Sequence, residues 1–166
     1  MKNERTIEIL KTAILMERKG QAFYRQVAEQ TKSPEVKSLF ETMAKEEILH
    51  ERFLADQFKE YTQNNKLITQ DLPLDDNQIV GKIITSKIIK DISAASYEAV
   101  AISAAMDMES NAIKVYANFA KESTDPQEKE LFNWLSEWEK GHHKILLELD
   151  NDLKENIWND NQFWPF

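Results

Sequence analysis

The chain has 166 residues, 42% of them hydrophobic and 30% charged, with a net charge of -8. That length suffices for one domain with a sizeable core, and the acidic balance argues against a nucleic-acid binder working through a basic stripe. The sequence contains no cysteine, which excludes disulfides, thiolate metal sites and iron–sulfur clusters from these residues.

Three glycines and four prolines are too few for a loop-rich β fold, and the dominant residues favour helix. The opening stretch, Met1 to Leu10, is charged and lacks an apolar core of signal-peptide length. No run approaches the roughly 18 apolar residues of a spanning helix. A soluble, cytoplasmic protein with no membrane association is therefore expected.

Apolar residues at Ile7, Leu10, Ile14, Ala22 and Phe23 recur with helical spacing and predict a first helix over about 4–30. A turn follows at Thr31-Lys32-Ser33-Pro34. Ser33 is a good N-cap, Pro34 suits the first helical position, and Glu35 complements the helix dipole. The second helix is predicted over about 35–62. Residues 63–93 form a long connection: a polar part with Pro73, then a short amphipathic helix marked by Ile79, Val80, Ile83, Ile84 and Ile88. Two further helices are expected over about 94–122 and 127–155. They are joined at Ser123-Thr124-Asp125-Pro126, with Glu128 placed as a capping-box partner of Asp125. The aromatic tail, from Ile157-Trp158 to Phe163-Trp164-Pro165-Phe166, is expected to pack against the bundle or a partner subunit.

The second pair of helices repeats the first. An offset of 92 positions gives twelve identities in a window of 42 without a gap, where unrelated helices give about three. They include Met16/Met108, Glu17/Glu109, Tyr24/Tyr116, Pro34/Pro126, Glu47/Glu139 and His50/His142. The expected architecture is an all-α four-helix bundle made of two helical hairpins, over about 4–62 and 94–155, in a single domain spanning 1–166. A long crossover of this kind is needed when the order is not simply up-down-up-down.

Glu47 and His50 are three residues apart and share one helix face, as do Glu139 and His142. Glu17 and Glu109 each precede such a pair by 30 residues. Four glutamates and two histidines from four helices suit two divalent metals, two of the glutamates bridging. Each metal then keeps a terminal carboxylate and an imidazole. Mixed oxygen and imidazole ligation favours iron or manganese over copper or magnesium, with zinc a frequent substitute. A single Glu-x-x-His is a weak signal. Two in register, each with its preceding glutamate, are a strong one.

Other residues carry weaker signals. Tyr24 and Tyr116 lie two turns after Glu17 and Glu109 and are expected to hydrogen-bond a ligand carboxylate. Gly20 and Ala112 are small, either to leave room beside the metals or to allow close helix packing. His143 points about 100° away from His142, and Glu46 and Glu137 read as solvated face. Met16 and Met108 read as core, and Trp134 and Trp138, four apart, should pack together or cover an interface.

The segments Ala13 to Tyr24 and Met43 to His50, with Met108-Glu109 through Tyr116 and Glu139 through His142, resemble the ferritin-like domain of rubrerythrins. The likeness covers nearly the whole chain. It implies a non-haem di-iron centre, with two iron ions held by Glu17, Glu47, His50, Glu109, Glu139 and His142, and no catalytic residue beyond these ligands. It further implies an oxidoreductase, typically a homodimer, that reduces hydrogen peroxide or dioxygen. Rubrerythrins proper also carry a cysteine-rich rubredoxin domain. With no cysteine in this sequence, electrons are expected from a separate donor protein such as a rubredoxin. They also carry an extra glutamate where this chain has Ala112, so the ligand set here is more symmetric. Metal handling without rapid turnover, and a structural bundle with a relic site, are the competing expectations.

Overall fold

The computed structural model describes residues 2–68 and 97–159. The expected short helix over 79–88 lies outside them, as does the tail beyond 159; nor are the side chains of Ile157 and Trp158 described. Among the described residues there are four helices: α1 (Lys2–Gln30), α2 (Pro34–Asn64), α3 (Tyr97–Glu122) and α4 (Pro126–Asn159). They form an all-α four-helix bundle of two hairpins, α1–α2 and α3–α4, with a long crossover, as the ferritin-like fold requires.

Local chemistry sets the helix ends. Ser33 has extended backbone angles and its hydroxyl accepts the Val36 N–H at 3.3 Å, with Pro34 opening α2. Asn65, at φ 54°, closes α2 in the left-handed region and gives its N–H to Tyr61 O at 2.9 Å. The departing chain is then held by Gln57, whose side-chain oxygen accepts Ile68 N–H at 2.9 Å. Asp125 plays the Ser33 part for α4, accepting the Gln127 N–H at 2.9 Å. The Glu128 carboxylate reaches across to α1, where it accepts the Thr6 hydroxyl.

Polar ties between the hairpins reveal the topology. Arg5, at the start of α1, donates to the Glu122 carbonyl at the end of α3 at 3.1 Å. Thr31, just past α1, donates to Glu98 at the start of α3 at 2.7 Å. Thus α1 and α3 run antiparallel, so α2 and α3 run the same way. The end of α2 and the start of α3 therefore lie at opposite ends of the bundle, and the link between them has to span about 46 Å, the length of the 31 residues of α2. A tight turn cannot do this.

The core is divided along its length. One apolar cluster, around Val27, Phe40, Met43, Ile102 and Leu149, fills the end near the hairpin turn of α1–α2. The other, around Leu10, Leu54, Tyr61, Phe132 and Leu135, fills the opposite end. Between them lies a layer of buried polar side chains: Glu17, Glu47, His50, Glu109, Glu139 and His142, each at most 3% exposed. Burying so many ionisable groups is costly unless they are paired or bind a metal.

Candidate metal centre

The helices deliver these residues in two overlapping sets. Glu17, Glu47, His50 and Glu139 bring ligand atoms within 4.8 Å of one another, and so do Glu47, Glu109, Glu139 and His142. All six residues singled out from the sequence come together. Glu47 and Glu139 belong to both sets, which is what a bridging carboxylate must do; Glu17 with His50, and Glu109 with His142, each serve one.

The distances define a compact centre. His50 Nδ1 lies 2.9 Å from Glu17 Oε2, 3.9 Å from Glu47 Oε2 and 4.0 Å from Glu139 Oε1. His142 Nδ1 lies 3.2 Å from Glu47 Oε1, 3.4 Å from Glu139 Oε2 and 3.5 Å from Glu109 Oε1. Among the described residues, Glu47 Oε1, Glu139 Oε2 and His142 Nδ1 are buried without a hydrogen bond. Three donor atoms converging without hydrogen bonds to hold them are what a divalent cation satisfies. The donor set of carboxylate oxygens and imidazole nitrogens therefore fits a metal pair.

The tyrosines act across the hairpins. Tyr24 of α1 donates to Glu109 of α3, and Tyr116 of α3 donates to Glu17 of α1. Each fixes the terminal glutamate of the other hairpin, an exchange that spacing along one helix could not show. Burial and then the neighbouring Glu109 push the Tyr24 hydroxyl well above the ordinary tyrosine range; burial and Glu17 do the same for Tyr116. Both remain donors.

Protonation follows from crowding. Burial and then the Glu17 carboxylate hold Glu47 well above the usual carboxylate range, and burial with Glu109 does the same to Glu139. For Glu17 burial pushes upward, but the hydrogen bond and charge of His50 outweigh it and hold it low. Glu109 is held low in the same way by His142. Burial alone lowers His142; Glu109, Glu139, Glu46 and Glu47 overcome that and raise it well above its ordinary value.

Access runs along the seam between α1 and α3. A cleft of about 120 Å³ is lined by Met16, Glu17, Lys19 and Gly20 of α1, Met108, Glu109, Asn111 and Ala112 of α3, and Glu47 and Glu139 below. Met16 and Met108 pack on the core clusters and also line this cleft. The reason for Gly20 is local: a Cβ there would sit 3.2 Å from Glu47 Oε2, so the missing side chain makes room for a ligand carboxylate. Trp134 and Trp138 pack edge to face at 5.0 Å. His143 belongs to neither ligand set, and Glu137 is exposed and paired with Lys140.

Glu46 departs from the sequence expectation of a solvated face. It is 8% exposed, and its Oε2 lies 2.6 Å from His142 Nε2. On its own helix Glu46 points away from Glu47, but α4 fills that direction. The repeat held a signal: the offset of 92 pairs Glu46 with Trp138, and a position occupied by tryptophan in one copy is rarely a wet face in the other.

Comparison with the curated proteins and with the solved structures gives no significant match. The family model described as Rubrerythrin matches residues 8–150, which takes in all six candidate ligands, both tyrosines and both helical hairpins. On that span, and with the carboxylate–histidine centre just described, the chain belongs to the rubrerythrin family.

Proposed function

We propose that this protein is a non-haem di-iron oxidoreductase that reduces hydrogen peroxide or dioxygen with electrons from a separate donor protein. The observation that carries the reading is the pair of overlapping four-residue sets sharing Glu47 and Glu139, open to a cleft large enough for a small oxidant. When bound, two iron ions supply the electrons that divide an O–O bond; for peroxide the balance is two electrons and two protons in, two waters out.

The chain's own residues prepare this chemistry. His50 and His142 anchor one metal position each, and Glu17 and Glu109 supply a terminal carboxylate held by a tyrosine from the opposite hairpin. Glu47 and Glu139 rest on no such donor at Glu47 Oε1 or Glu139 Oε2, so these atoms are free to change ligation. Apolar clusters lie above and below the centre, and the α1–α3 cleft opens onto it.

A second reading is metal handling without rapid turnover, favoured by Ala112 standing where rubrerythrins carry an extra glutamate. Anaerobic loading with ferrous ion, followed by stopped-flow mixing with peroxide and with dioxygen in parallel, separates the two. Oxidation by peroxide much faster than by dioxygen supports the peroxidase form. Equally slow oxidation by both supports metal handling.

A further inference from the structure

The repeat places Glu46 and Trp138 at equivalent positions, so the two histidines have unlike surroundings. His142 presents Nδ1 to the carboxylates and Nε2 to Glu46 Oε2 at 2.6 Å. A carboxylate at Nε2 holds the proton there, leaves the Nδ1 lone pair for a metal and increases its basicity. His50 also presents Nδ1 to the centre, but Trp138 packs edge-on against its ring with centroids 4.3 Å apart. Among the described residues, His50 Nε2 and Trp138 Nε1 are both buried without a hydrogen-bond partner.

The metal-free arrangements differ in consequence. His50 Nδ1, 2.9 Å from Glu17 Oε2, shares its proton with that carboxylate through the atom a metal needs. Binding there moves the proton to Nε2, where no acceptor waits and a buried N–H is left unsatisfied. His142 also gives up its Nδ1 proton, but the Nε2–H it keeps is already bonded to Glu46.

We propose that the two metal positions are unequal: Glu46 is a positioning residue that makes the His142 position the tighter and first filled, while the His50 position, backed by Trp138, is the weaker and more exchangeable. This rests on the reading that the protein binds a metal pair.

The test is an anaerobic titration of the metal-free protein with Co(II), followed by its visible spectrum, for wild type and Glu46→Gln. It is paired with imidazole nitrogen NMR during titration with Zn(II). Wild type should bind in two steps at least about tenfold apart, and Glu46→Gln should weaken the tighter step about 10–100-fold while leaving the other within about threefold. The first equivalent of zinc should shift the His142 resonances before those of His50, and a deshielded His142 Nε2–H should be lost in Glu46→Gln. Two equal steps in wild type, His50 filling first, or equal weakening of both steps by the variant would overturn the proposal. Two tightly bound ions with no Glu46 effect defeat this inference alone; failure to bind a pair at all defeats the metal-pair reading as well.

Discussion

The candidate ligands differ in how many metal positions each serves, and that difference is measurable. Glu47→Ala or Glu139→Ala removes a ligand from both sets, so tightly bound metal should fall from two ions to none. Glu17→Ala touches one set and should leave one ion, counted by elemental analysis after gel filtration. Gly20→Ala separates stability from binding. Replacing a glycine in a helix interior gains about 1 kcal/mol, yet the new methyl group presses on Glu47 Oε2. The metal-free variant should unfold at equal or higher urea concentration while holding metal less tightly. The six ligands were legible in the sequence because duplication fixed their register. Glu46 was legible only through its repeat partner Trp138, since the histidine it meets lies on a helix 96 residues away and one-helix geometry turns it outward.

Helices, turns and hairpins were legible because caps and prolines mark their ends. Ser33→Ala should cost about 1 kcal/mol in urea unfolding, the usual value of an N-cap. The pairing between hairpins was less legible. Period and spacing say which face of α1 is apolar, but not that Tyr24 crosses to Glu109 or that Thr6 reaches Glu128. Such ties depend on the antiparallel run of α1 and α3, a tertiary fact. Tyr24→Phe or Tyr116→Phe should each cost about 1–3 kcal/mol in the metal-free protein by leaving a buried carboxylate short of a donor.

For the whole molecule, the polar layer between two apolar clusters makes stability depend on pH and on metal together. Glu47 and Glu139, raised by burial and neighbouring carboxylates, bind protons more tightly folded than unfolded. So does His142, where surrounding carboxylates overcome burial. Their contribution is complete below the ordinary values of 4.5 and 6.5, and is lost as pH rises through the raised folded values. Glu17 and Glu109, held low because the histidines outweigh burial, act oppositely: their contribution is present above 4.5 and fades as pH falls below it. The metal-free protein should therefore melt at progressively lower temperature as the pH rises above about 6.5. Loading displaces the protons, so the loaded protein should lose much less over that range and acidify a weakly buffered solution as it fills. Each ligand set draws on both hairpins: α1 and α2 give three residues of one set, and only Glu47 of the other. A lone hairpin of this kind could complete neither position without meeting a second copy, and its metal affinity would depend on its own concentration. Joining two copies through the crossover replaces that encounter with a fixed local concentration. It also releases the halves from having to match each other, and the exchange of glutamate for tryptophan between positions 46 and 138 is a divergence that a symmetric pair of identical chains could never make.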